Sequence, residues 1–143
     1  LWGAQYEAKS LKEKSDLVII DTPPKIDADG RPAIEIADLV IIPISPSQVD
    51  FWATESIIEL AKREKREILI LINRANAKSK LIQEAHKFVN NMNVKKAKTI
   101  LGQRQIFLSS MGLGLTVVEK QRTGKGCLEM LALAKEIQSF LKF

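Results

Sequence analysis

Asp21 closes the apolar run Leu17-Val18-Ile19-Ile20 and is followed by Thr22-Pro23-Pro24. An apolar strand ending in Asp sets a carboxylate at the C-terminal edge of a parallel sheet, the edge at which ligands of such folds bind. A nucleotide-bound Mg²⁺ is a hard ion that keeps several waters, and one strand-end Asp can hold it through them. Asp21 is therefore the candidate catalytic carboxylate and water-mediated Mg²⁺ anchor. A phosphate cradle of the form G-x-x-x-x-G-K-[ST], built from consecutive backbone N–H groups and a Lys, does not occur in the 143 residues. Gly124-Lys125-Gly126 comes nearest, but Gly follows the Lys and Glu119 occupies the place of the first Gly. With one His and one Cys, His86 and Cys127, the chain can complete neither a zinc site nor an internal disulfide.

The elements that must position Asp21 follow from the hydrophobic pattern. Residues 17–20, 39–42 and 68–72 are short, wholly apolar and rich in β-branched side chains, as expected of parallel strands covered on both faces. Between the second and third, Asp50 is placed to cap a helix on which Phe51, Ile57, Ile58 and Ala61 recur at helical spacing, which makes a βαβ unit. Ser79 offers the next cap, ahead of a stripe formed by Leu81, Ile82, Ala85, Phe88, Val89 and Met92. His86 lies off that stripe among polar residues and is expected to be solvated. Residues 97–101 form a further short strand, and Gly112-Leu113-Gly114 break the chain. A last helix starting near Gly126 turns Met130, Leu131, Ala134, Ile137 and Leu141 inward. Strands alternating with helices give an α/β fold with parallel strands and right-handed crossovers. Residues 1–143 are expected to form a single domain, without internal repeats or linkers.

Composition narrows the function. Hydrophobic residues make up 45% of the chain, enough for one core, and no apolar run is long enough to span a membrane. Neither a membrane association nor a signal peptide is expected, so the protein is expected to be cytoplasmic. Residues 1–73 hold 9 Lys/Arg against 13 Asp/Glu, whereas residues 74–143 hold 13 against 4, so the net charge runs from −4 to +9. A basic half of this kind suits either a non-specific nucleic-acid surface or a solvated helix face.

The run DLVIIDTPP and, after a gap, ADLVIIPISPSQVDF closely resemble the ParA/MinD family of P-loop partition ATPases, of the Soj/ParF-like kind. The resemblance extends through Pro43-Ile44-Ser45-Pro46, Asp50-Phe51, Leu71-Ile72-Asn73-Arg74 and Gly102-Gln103-Arg104-Gln105, from about Asp16 to the C-terminus. It implies a three-layer, mostly parallel sheet with helices on both faces, of P-loop NTPase type, lacking the N-terminal strand and the P-loop. Asp21 then belongs to the Walker B segment, and residues 22–29 to switch II. Nucleotide contacts are implied at Thr22, Pro23, Asn73, Arg74 and Gln103, with Asn73 at the adenine, and DNA contacts at Arg104, Lys120, Arg122 and Lys125. The implied cofactors are ATP and Mg²⁺. The implied partners are non-specific DNA, a centromere-binding ParB-type adaptor and a second copy of the chain, in a nucleoid-associated setting.

Each of these residues also has a plainer reading. The prolines can simply end a strand, Asn73 can form a turn, and Arg104 can be an ordinary surface cation. Trp2, Trp52, Phe88 and Phe107 are expected to pack rather than to stack on bases. Leu1 in the place of Met, with only 20 residues ahead of Asp21, leads to the expectation of a fragment whose ATP binding on its own is doubtful. The main functional expectation is a plasmid or chromosome partition ATPase. Its alternative is a non-catalytic remnant that keeps DNA or partner binding. A relative serving biosynthetic amidation or ligation is disfavoured by the Pro-x-x-Pro and Gln-Arg-Gln segments and by the basic C-terminal half.

Overall fold

The computed structural model describes residues 2–22, 30–77 and 79–142. In chain order these form α1 (Trp2–Lys12), α2 (Arg31–Ile36), β1 (Leu39–Ile44), α3 (Gln48–Arg63), β2 (Glu67–Ile72), α4 (Leu81–Asn91), β3 (Lys95–Lys96), α5 (Gln105–Met111), α6 (Val117–Lys120) and α7 (Lys125–Leu141). The three strands make one parallel sheet in the order β1-β2-β3. β1 and β2 pair from Leu39↔Glu67 to Ile44↔Ile72.

Strand alternation divides the core into two. Ile68, Ile70 and Ile72 of β2 join Ile42 and Ile44 of β1 against Phe51, Ile58 and Ala61 of α3 and Ala85 and Val89 of α4. Leu69 and Leu71 point the other way, onto Ala97, Leu101 and Leu133, with Met130, Ile137 and Phe140 of α7 alongside. The result is three layers with helices on both faces, as expected. Phe88 packs as expected too, stacked on Phe51 with ring centroids 4.8 Å apart, whereas Trp52 is 69% exposed.

Several local expectations need correction. Residues 17–20 are not a strand: they have no ladder partner among the described residues, and Leu17, Ile19 and Ile20 are exposed. High strand propensity does not make a strand when nothing pairs with its backbone. The cap of α3 is Ser47 rather than Asp50. The Ser47 hydroxyl accepts from the Asp50 amide at 3.2 Å, while the Asp50 carboxylate reaches back to accept from the Ser45 amide at 2.9 Å. Ser79 does accept from the Leu81 amide at 3.2 Å, but α4 itself begins one residue after Lys80 with no side-chain cap. The last strand is Lys95–Lys96 rather than residues 97–101, although Ala97 and Leu101 still donate to Ile70 and Ile72 at 2.8 and 3.0 Å. On α7 the inward face carries Leu133, while Leu131 and Ala134 are exposed. His86 is half-buried, its Nδ1 2.6 Å from Lys96 Nζ. Burial, followed by the charge of Lys96, lowers its pKa.

Candidate functional site

β2 ends in a turn that faces the last extended segment. The Asn73 amide donates to Ile44 O at 2.8 Å, its own Oδ1 accepts from the Arg74 amide at 2.8 Å, and Arg74 takes a left-handed φ of 51°. The chain then runs beside residues 101–103. Ala75 N donates to Leu101 O at 3.0 Å and Gln103 N to Ala75 O at 2.9 Å. Between these two segments, at the C-terminal ends of the parallel strands, lies a groove of about 600 Å³. Ala75, Ala77, Ile82 and Ile100 give it apolar walls, and Asn76, Gln103, Arg104 and Glu129 give it polar groups.

Glu129 organises one wall. Its carboxylate accepts from the Gly102 amide at 3.1 Å and from Arg104 Nε at 2.9 Å, and it takes a second bond from Arg104 Nη2. Gly102 has no Cβ to displace the guanidinium, which lies 2.9 Å from where one would stand. The hydrogen bond from Arg104 holds the Glu129 carboxyl below its usual pKa, and the same bond raises that of Arg104.

The structure gathers some of the candidate residues and separates others. Gln103 and Arg104 line the groove. Asn73 and Arg74 stand on the adjoining turn and not on its wall; the asparagine on the wall is Asn76. Arg104 is engaged by Glu129, with its side chain 31% exposed, rather than presented outward as a cation for DNA. Asp21 and Thr22 are exposed, and Pro23 lies outside the described residues, as does most of the switch II segment. Lys120 ends α6, Arg122 lies in the turn that follows, and Lys125 begins α7. Lys120 Nζ donates to Ser109 O at 2.7 Å, whereas Arg122 and Lys125 are exposed.

Glu129 and Asn76 escaped the sequence reading, although a signal existed for the glutamate. Only four acidic residues occur in the basic half, and each holds a partner. Glu84 accepts from Gln48, Glu119 closes a capping box with Thr116, Glu129 takes Gly102 and Arg104, and Glu136 takes the amides of Lys98 and Thr99. An isolated acid on a basic background marks a place where a carboxylate is needed.

Among the described residues, no three His, Cys, Asp or Glu side chains gather to hold a metal. The lone carboxylate of Asp21 suits Mg²⁺ only in the mode where water and phosphate oxygens supply the other ligands. No helix among the described residues is long and apolar enough to cross a membrane.

Residues 4–59 match the family model for ATPase MipZ. The chain is 20% identical over 127 residues to the maintenance of carboxysome distribution protein A of Halothiobacillus neapolitanus, covering 85% of this chain and 59% of that protein. Its fold is similar to that of the Pyrococcus furiosus cell division ATPase MinD, with a TM-score of 0.82 at 21% identity, over 95% of this chain and 57% of that one. The chain thus spans somewhat more than half the length of these relatives.

Proposed function

We propose that the chain is a member of the ParA/MinD-type family of partition and positioning ATPases, and that it forms the base-binding and DNA-facing part of an ATP-dependent machine that distributes a DNA-borne cargo. The observation that carries this reading is the groove between residues 75–77 and 102–104, at the strand ends where ligands of open α/β sheets bind. Its volume of about 600 Å³ falls in the range of small-molecule sites, roughly 300–1,000 Å³. Apolar side chains suit the faces of a purine, and Asn76 and Gln103 suit its polar edge. ATP and Mg²⁺, when bound, would supply the hydrolytic chemistry, and Asp21 is the residue of this chain that would hold a metal-bound water. Adenosine titrated into ¹⁵N-labelled chain is expected to shift the amides of Ala75, Asn76, Gly102 and Gln103 saturably. A titration that moves none of them overturns the base reading.

The finer parts of the proposal concern partners. Arg122 and Lys125, with Lys120 beside them, form a cationic corner suited to a phosphate backbone, where affinity comes from counterion release. A ParB-type adaptor and a second copy of the chain complete the proposed partition apparatus. Duplex DNA of any sequence is expected to bind, with affinity falling steeply as salt is added. Reversing the charge at Lys120, Arg122 and Lys125 together should weaken binding equally across sequences and flatten the salt slope by about 0.9 for each phosphate no longer neutralised. A fluorescence-anisotropy titration in low salt that is unchanged by the triple substitution rules this corner out as the DNA surface.

A further inference from the structure

Residues 101–103 alternate like a strand. The amides of Leu101 and Gln103 point toward β2 and the turn after it, donating to Ile72 and Ala75 at 3.0 and 2.9 Å. The Gly102 amide between them points to the outer edge, where a sheet with no further strand leaves donors unsatisfied. Glu129 accepts that amide at 3.1 Å in the place of a neighbouring strand. Glu136, further along α7, does the same for Lys98 and Thr99 at 2.6 and 3.1 Å, but away from the groove. The two glutamates differ in one respect. Glu129 also grips the Arg104 guanidinium, so one carboxylate joins the backbone of the groove wall to a side chain that lines it.

We propose that Glu129 is the positioning residue of the base groove: by fixing the Gly102 amide and the Arg104 guanidinium together, it holds the outer side of the 102–104 wall and the Arg104 side chain that lines the groove, and with them the fit of a flat base. The proposal rests on the base reading of the groove given above. Glutamine at this position would keep the size of the side chain but lose its charge. It would offer one amide oxygen to three N–H groups, and its own NH₂ would face the guanidinium. The wall would then have lost one of its two fixings, while the ladder bonds to Ala75 and Ile72 remained.

The test compares Glu129→Gln with Glu136→Gln in the full 143-residue chain, reading amide hydrogen exchange and adenosine affinity by NMR. Glu129→Gln is expected to speed exchange at Gly102 by about tenfold while leaving Lys98 and Thr99 unchanged, and to raise the adenosine dissociation constant at least ~threefold. Glu136→Gln should do the reverse, speeding exchange at Lys98 and Thr99 and leaving adenosine affinity as it was. Uniform acceleration of all amides in Glu129→Gln would reveal a merely structural carboxylate and overturn the proposal. Unaltered adenosine affinity in that variant, with binding intact in the unsubstituted chain, overturns the positioning role alone. If adenosine shifts no groove amide even in the unsubstituted chain, the base reading fails and takes the proposal with it.

Discussion

β1 and β2 are equally long, similarly apolar and hydrogen-bonded to each other from end to end, yet only β2 is buried on both faces. On the side of α3 and α4 the two behave alike, Ile42 and Ile44 being as deeply buried as Ile70 and Ile72. On the other side α7 covers Leu69 and Leu71 and reaches Leu39, but Ile41 keeps 37% of its surface exposed. Residues 17–20 carry the same kind of run with no ladder partner among the described residues, and Leu17, Ile19 and Ile20 are exposed. A continuous apolar run therefore reports two faces that favour burial. Whether both are buried depends on the neighbouring layer, which the run itself does not encode.

Truncating the two strands separates these cases. Ile70→Ala removes a fully buried side chain from the middle of β2 and should cost about 2–5 kcal/mol in a urea titration. Ile41→Ala, at the half-covered position of β1, should cost under about 1 kcal/mol. Equal costs would mean that the outer face of β1 is covered as well as that of β2.

A smaller effect distinguishes the carboxylates that serve the two strand ends. At the end of β1, burial raises the pKa of Asp50, but hydrogen bonds from Ser45, then Ser47, and the charge of Arg74 outweigh it, so the net shift is downward. On the β2 side, Glu129 is lowered first of all by its bond from Arg104. Both groups ionise more readily in the folded chain than in the unfolded one. Each therefore contributes stability that is fully present above the unfolded carboxylate pKa of about 4 and is lost as pH falls through the lower folded value. Thermal melts from pH 6 down to pH 3 should show a falling Tm, with a shallower fall in Asp50→Asn and in Glu129→Gln. If neither substitution changes the slope, other carboxylates carry the acid sensitivity.

The βαβ unit was legible because its signals are local. Residues 39–42 and 68–72 are apolar without interruption, and Phe51, Ile58 and Ala61 repeat at the helical period, so strand, helix and strand could be placed from the pattern alone. The burial of Ile70 and the exposure of Ile41 were not, because they depend on where α7 lies. The cap of α3 moved from Asp50 to Ser47 for a related reason. Both residues are good caps, and the choice was made by Asp50 turning back to the Ser45 amide at the end of β1. The site divided in the same way. The motif Gly102-Gln103-Arg104 points to Gln103 for the nucleotide and to Arg104 for DNA, whereas both side chains line the groove, and Asn76 and Glu129 come from a turn and from a helix 25 residues beyond Arg104, joined only by folding.

Glu129 and Glu136 also act as two pins on a segment that departs from the regular ladder. Ala97 and Leu101 are four residues apart, yet they donate to Ile70 and Ile72, only two apart on β2, so two residues bulge out between them. The bulge leaves the consecutive amides of Lys98 and Thr99 without a strand partner, and Glu136 accepts both, while Glu129 accepts the Gly102 amide beyond it. α7 thus holds the irregular segment at the bulge and again past it. A slip of one residue along the strand would break both carboxylate contacts at once and turn Ala97 and Leu101 away from Leu133. The position of this segment is thus written twice, once in its hydrogen bonds to β2 and once in the carboxylates of the helix that closes its far side.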